Sequence, residues 1–293
     1  MKLGWLGLGN MGVPMVRNVA RVGYPITAFN RTVKSLGQDM PEHVTVVSDV
    51  HEAVADQDVV FVMVSDMAAV ESLLFGFGAA DSMERGTLVV NMSTIGVDES
   101  RQLADRLTGT GLRYLEAPVL GSVKPAMDAT LVVLAGGQAD DFAQVEPLLA
   151  ALGRKSFYLG GIGQGAAMKL LVNAFLGIVM EMLAETVAYG ERSGFARETV
   201  LDVLASSAVW APVLSAKRQL VVTDDYPVQF ALKHLLKDMQ LALRQAEAVG
   251  AQLPIASAAA SVMRDAVASG FGDLDMASLV AFRAAQTGGV DQA

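Results

Sequence analysis

Residues 3–15 read Leu3-Gly4-Trp5-Leu6-Gly7-Leu8-Gly9-Asn10-Met11-Gly12-Val13-Pro14-Met15, and Gly7, Gly9 and Gly12 set a G-x-G-x-x-G series between an apolar run and a segment of helical spacing. Each glycine has a physical task. One makes the strand-to-helix turn, one lets backbone approach a pyrophosphate, and one permits close packing of helix on strand, with helix N–H groups facing the anion. The series also recurs by chance in glycine-rich chains, so its context decides. Leu3, Trp5 and Leu6 predict a buried strand, and Met11 to Val22 a helix that tolerates Pro14 in its first turn. Ile26 to Phe29 predict a second strand after the Gly23-Tyr24-Pro25 turn. The expectation is a βαβ unit holding a nicotinamide or flavin nucleotide through Gly7, Leu8, Gly9, Asn10, Met11 and Gly12.

The chain has 293 residues, 52% of them apolar and 18% charged, enough for two domains or one large one with a well-buried interior. A formal charge of −9 argues against general affinity for nucleic acid or an anionic membrane. The lack of cysteine excludes disulfides, thiol catalysis and cysteine-ligated metals, and three scattered histidines, His43, His51 and His234, argue against a histidine metal site. Lys2 before an apolar stretch imitates a signal sequence, but Gly7, Gly9 and Asn10 interrupt it and a cytoplasmic protein is expected. The longest apolar segment, Leu170 to Leu183, contains Asn173 and Glu181, which is costly for a membrane span and favours a buried helix.

Further apolar runs recur at Val44 to Val47, Val59 to Val64, Leu88 to Met92, Tyr114 to Val119, Leu131 to Ala135 and Phe157 to Leu159, several of them separated by helix-like stretches. Strands alternating with helices predict an α/β fold: a doubly wound, Rossmann-type domain over residues 1–162, with possible antiparallel members late in the sheet. Strand signals nearly vanish after Gly160-Gly161-Ile162-Gly163-Gln164-Gly165. An all-helical domain is therefore expected over 163–293, joined by one long interdomain helix from Ala166 to Arg192, about 40 Å at about 1.5 Å per residue. Further helices are predicted at Glu198 to Ser206, Val213 to Leu220, Phe230 to Val249, Ile255 to Ala268 and Met276 to Ala285. Gly163-Gln164-Gly165 imitates a second nucleotide turn but has Met168 at the third glycine position; it either frees backbone near a ligand or forms the interdomain turn.

The second strand ends in Asn30-Arg31-Thr32, where an NAD site commonly carries a carboxylate for the ribose hydroxyls. A guanidinium and two neutral polar side chains suit a 2′-phosphate, so NADP(H) is favoured over NAD(H). The competing reading makes Arg31 a hydrated turn residue. Reduction of a carbonyl also needs a proton donor. Lys169 lies early in the long apolar helix with Asn173 one turn later on the same face, where the amide can orient substrate or ammonium. A lysine in that place can equally snorkel to water.

Read together, these residues make the chain resemble the β-hydroxyacid dehydrogenase family, 3-hydroxyisobutyrate dehydrogenase-like, over nearly its whole length. The matching pieces are Gly7 to Gly12, Asn30-Arg31-Thr32, Ser93-Thr94, Ala117-Pro118-Val119 with Gly121, Gly163-Gln164-Gly165 leading to Lys169 and Asn173, and Lys237-Asp238. The resemblance implies that Lys169 is general acid in reduction and base in oxidation, assisted by Asn173. It further implies that Gly121 and Ser122 bind the substrate carboxylate, that Val64, Ser65 and Thr94 approach the cofactor, and that Lys237 helps close the cleft. Without it, Lys237 beside Asp238 would read as an exposed helical charge.

Three positions depart from the family pattern: Glu116 stands where many members have Asp, Leu120 replaces a usual Ser, and Val172 replaces an Asn found in some. Gly121-Ser122-Val123-Lys124-Pro125-Ala126 is similar to the glyoxylate/succinic semialdehyde reductase branch, and Asn30-Arg31-Thr32 agrees with that branch's NADPH use. The expected activity is interconversion of a small aldehyde acid and its hydroxyacid by a homodimer or homotetramer. An imine reductase-like enzyme and a non-catalytic nucleotide-binding scaffold protein are the alternatives. Lys169 speaks against the first, and Lys169 with Asn173 against the second.

Overall fold

A computed structural model describes residues 1–31 and 40–287. Thr32, one of the expected cofactor contacts, lies outside them. The chain divides into two compact units, Met1–Leu170 and Leu171–Ala293.

In the first unit the order is β1 (Leu3–Leu6), α1 (Gly12–Ala20), β2 (Ile26–Phe29), β3 (Val44–Val47), α2 (Val50–Val54), β4 (Val59–Val62), α3 (Met67–Glu71), β5 (Leu88–Asn91), α4 (Val97–Gly109), β6 (Arg113–Glu116), β7 (Val119–Leu120), α5 (Val123–Met127), β8 (Leu131–Gly137), α6 (Ala139–Ala150) and β9 (Gly153–Tyr158). Among the described residues, nine strands share one sheet ordered β3-β2-β1-β4-β5-β6-β8-β7, with β9 also on β8. The six from β3 to β6 are parallel, and β8 joins β6 antiparallel. The short apolar strands follow from burial of both faces: side chains alternate in direction, so a strand covered on two sides must be apolar throughout. Leu3, Trp5, Ala28, Val59 and Phe61 enter one core with Met15 and Val19 of α1, while Leu6, Phe29, Val60 and Val62 enter the other with Leu103 and Leu107 of α4. Each fully buried Leu, Val or Phe contributes about 1.5–3 kcal/mol of transfer free energy to this arrangement.

The structure corrects two expected strands. The run Tyr114 to Val119 forms β6 and β7, separated at Ala117 and Pro118, because proline brings no N–H to a ladder. The strand expected at Phe157 to Leu159 begins at Gly153 and includes Arg154 and Lys155. It is largely exposed, so its charged residues hid it from a search for apolar runs.

α7 (Gln164–Arg192) begins in the first unit and runs on into the second. By length and composition it could cross a membrane, yet 56% of its most apolar window is buried inside the protein. The second unit continues with α8 (Arg197–Ala205), α9 (Pro212–Thr223), α10 (Leu232–Ala248), α11 (Pro254–Ala266) and α12 (Leu279–Thr287). Leu232, Leu235, Leu236, Met239 and Ala242 give α10 a buried stripe at helical spacing. α10 starts two residues later than Phe230, whose N–H donates to Asp275 Oδ2 at 3.0 Å. Asp275 also caps the 3-10 turn Met276–Ser278 that precedes α12, and Lys217 Nζ donates to its Oδ2 at 2.8 Å. α11 ends earlier than its apolar spacing predicts, in a π-helical turn at Val267–Phe271 where Gly270 takes φ +94°.

Candidate active site

The sheet order places β1 beside β4 while their crossovers run to opposite sides, and such a reversal opens a crevice at the carboxyl ends of the strands. A cavity of about 230 Å3 lies there, walled by Gly7 and Gly9 after β1, Phe29, Asn30 and Arg31 at the end of β2, and Met63, Val64 and Ser65 after β4. Ala69 of α3, with Ser72, Leu73 and Phe77 from the π-helical turn after it and its end, completes the wall. A second cavity of about 400 Å3 shares Phe29, Arg31 and Phe77 with it and is bounded also by Ser48, Asp49 and His51. Asp49 turns its Oδ1 to the His51 N–H at 2.9 Å, capping α2. Phe77, Asp49 and His51 were not found by sequence reasoning, since they fall in loops or at helix ends without a motif.

Gly7 and Gly12 stand where backbone comes too close for a side chain. Gly7 sits at φ +106°, and a Cβ there would fall 2.2 Å from the Met63 carbonyl oxygen. A Cβ on Gly12 would fall 2.0 Å from the Gly7 carbonyl oxygen, so helix and strand touch through backbone. Gly9 faces open space. α1 has no acidic residue in its first turn and no side-chain cap. Donors at a helix start beside open space suit the diphosphate of a dinucleotide, so the residues fit that group. Asn30 Oδ1 accepts from the Leu8 N–H at 3.2 Å, which ties the end of β2 to the glycine loop. Asn10 and Arg31 are exposed, and Met11 is half-buried. Ser65 donates to Asp66 at 2.8 Å, and the Val64 N–H donates to Ser93 Oγ at 3.0 Å. Thr94 is half-buried beside Ser93.

Gly121 adopts φ +124°, packed so that a Cβ would meet Leu131 Cδ2 at 2.7 Å, and Ser122 stands at the start of α5. Lys169, in the second turn of α7, is only 7% exposed, so its stem does not run out to water as a snorkelling lysine would. Asn173 follows one turn later, buried, and donates from Nδ2 to Asp238 Oδ2 at 2.6 Å. Lys237 Nζ lies 3.2 Å from Asp238 Oδ1 and is three-quarters buried, not the fully exposed charge of the competing reading.

Glu116 is the residue whose importance the sequence understated. Its side chain is buried, and Oε1 accepts from the N–H groups of Gly163, Gly165 and Ala166 at 2.8, 2.7 and 3.2 Å. In Gly163-Gln164-Gly165, left open between a ligand turn and an interdomain turn, the Gly163 and Gly165 N–H groups are thus spent on an internal carboxylate, while the Gln164 N–H donates to the Gly161 carbonyl. Ser100 Oγ donates to Oε2. Burial pushes the Glu116 carboxyl above its ordinary range, and these four hydrogen bonds oppose that shift. Room for the side chain comes from two absent Cβ atoms: one on Gly136 would lie 2.5 Å from Oε1 and one on Gly165 3.1 Å from it. The signal in the sequence was a Glu where Asp is usual.

Comparison with known proteins agrees with the crevice. Residues 2–160 match the NAD binding domain of 6-phosphogluconate dehydrogenase, and residues 163–283 match the NAD-binding domain of NADP-dependent 3-hydroxyisobutyrate dehydrogenase. This chain belongs to the β-hydroxyacid dehydrogenase family. Within that family it is 34% identical to glyoxylate/succinic semialdehyde reductase 1 of Arabidopsis thaliana, over 96% of this chain and 97% of the relative. The solved 3-hydroxyisobutyrate dehydrogenase of Salmonella typhimurium superposes with a TM-score of 0.88 at 25% identity, covering 96% of this chain and 99% of that one. The corresponding enzyme of Mycobacterium tuberculosis, solved with L-serine, gives 0.80 at 28% identity over 96% and 98%. As a β-hydroxyacid dehydrogenase, the chain is an oxidoreductase that binds a nicotinamide dinucleotide on its N-terminal sheet.

Proposed function

We propose that this β-hydroxyacid dehydrogenase is an NADP(H)-dependent reductase of a small aldehyde acid of the glyoxylate or succinic semialdehyde type, running reversibly, with Lys169 as its general acid and base. The observation that carries the reading is the buried Lys169 ammonium, one helical turn before the buried Asn173. A lysine side chain held away from bulk water in one place on a helix can serve as proton donor and acceptor to a carbonyl brought within reach.

A nicotinamide dinucleotide seated in the crevice would supply or accept the hydride. Lys169 gives a proton from Nζ to the carbonyl oxygen that becomes the hydroxyl, and takes one back in the oxidative direction. Asn173, its amide fixed by Asp238, orients the reacting group. Gly121 and Ser122 bind the substrate carboxylate. Glycine-loop amides hold the diphosphate, Arg31 the 2′-phosphate, and Val64, Ser65 and Thr94 line the remaining cofactor contacts.

The deciding assay offers glyoxylate, succinic semialdehyde, tartronate semialdehyde and 3-hydroxyisobutyrate, each with both nicotinamide cofactors. Turnover of one of the first two with NADPH supports the reading, and inactivity on all four refutes it. Lys169→Ala should lower kcat by at least ~10²-fold, as expected for loss of general acid-base help, with NADPH affinity little changed. Near-normal turnover in that variant would remove the role given to Lys169.

A further inference from the structure

Glu116 ends a hydrogen-bonded chain that begins at the nucleotide crevice. The Val64 N–H donates to Ser93 Oγ at 3.0 Å, and the Ser93 N–H donates to Asn91 Oδ1 at 3.1 Å. Asn91 Nδ2 donates to the Tyr114 hydroxyl at 3.4 Å, which lies 2.9 Å from Ser100 Oγ. Ser100 has one hydrogen, and it goes to Glu116 Oε2. Tyr114 must therefore donate to Ser100, so every side-chain hydrogen from Asn91 onward points toward the carboxylate. The other oxygen of Glu116 gathers three N–H groups at the start of α7, the helix that bears Lys169 four residues after Gly165. Asn91, Ser93, Ser100, Tyr114 and Glu116 are all buried, so no member can exchange its partner for bulk water.

We infer that Glu116 is a positioning residue: its carboxylate anchors the first turn of α7 to the loop after β4, and so fixes where Lys169 stands relative to the nucleotide crevice. The inference rests on the role proposed for Lys169. A negative acceptor suits the task because it meets the positive end of a helix dipole and orients the donors behind it. An amide of the same shape does not. In Glu116→Gln the Nε2 group would donate to Ser100, Ser100 would turn its hydrogen to Tyr114, and the Tyr114 hydrogen would be left without an acceptor in a buried site. Glu116→Asp is shorter but keeps the direction of the chain.

The test is steady-state reduction of glyoxylate or succinic semialdehyde by NADPH, whichever the wild-type chain reduces faster, with NADPH affinity from fluorescence titration. Glu116→Gln should lower kcat at least ~10-fold while KM and NADPH affinity stay within about threefold, and Glu116→Asp should recover kcat to within about fivefold of wild type. If Glu116 acts through Lys169, the Glu116→Gln effect should shrink below about twofold on a Lys169→Ala background, where the ammonium is already gone. A folded Glu116→Gln variant with kcat within about twofold of wild type overturns the inference, and so does an equal loss on both backgrounds. Should Glu116→Gln fail to fold, Ser100→Ala decides: a loss of about threefold or more on wild type that vanishes on Lys169→Ala supports the anchor, and no loss overturns it. Near-normal turnover of Lys169→Ala alone, or no reduction of either aldehyde by wild type, refutes the underlying reading. A deep loss in Lys169→Ala with additive Glu116 effects refutes only the anchor.

Discussion

At the scale of single residues, the NADP(H) preference proposed above turns on Arg31. It is exposed at the end of β2 and borders both cavities, where a 2′-phosphate would gain a charge-assisted contact and a ribose hydroxyl little. A hydrogen bond to a charged partner contributes about 1.5–3 kcal/mol, so Arg31→Glu should weaken NADPH binding by roughly 10-fold to 100-fold and leave NADH nearly unaffected. Fluorescence titration with both cofactors measures this, and equal use of NADH and NADPH by the unaltered chain would contradict the preference. Asn30 has a different task from the one its place in Asn30-Arg31-Thr32 suggests. Its carbonyl oxygen is bound to the glycine loop, so it shapes the site from behind as well as lining it.

Among elements, a buried ion pair ties α9 to the turn before α12 in the second unit. Lys217 of α9 and Asp275 before α12 are almost wholly buried, 2.8 Å apart. Asp275 also accepts from the N–H groups of Gln229, Phe230 and Ala277. Removing one member of such a pair leaves the other charge uncompensated. Lys217→Met should therefore cost about 3–5 kcal/mol, seen as a lowered urea midpoint. A shift smaller than about 1 kcal/mol would show that the carboxylate is held adequately by its backbone donors alone. The same logic separates what was legible in this unit from what was not. Periodicity located each helix to within a few residues, but the boundaries at Phe230, Val267 and Met276 are set by Asp275 and by Gly270, contacts and dihedrals that have no period.

At the scale of the whole molecule, α7 exposes Leu171, Phe175, Met182 and Tyr189 at spacings of four, seven and seven residues, one apolar stripe along a helix. Contiguous exposed apolar surface of this kind marks an interaction face, and we propose that a second copy of the chain covers it. Light scattering should give a dimer or larger assembly for the unaltered protein, and Phe175→Glu should shift it toward monomer by placing a charge in the covered stripe. A monomeric wild type would contradict the proposal.

The sequence by itself determined the parallel sheet, the nucleotide turn and the long helix, because each rests on local physics: a glycine series with one backbone solution, apolar strands buried on two faces, and a helical period. It also singled out Lys169 and Asn173, since one turn of helix places them on one face. Only the tertiary structure decided which donors and acceptors meet. Glu116 and Gly163 are 47 positions apart, Asn173 and Asp238 are 65, and Lys217 and Asp275 are 58. Spacing along a chain carries no record of such pairings, because a buried polar group takes its partner from whatever the folded core brings within about 3 Å.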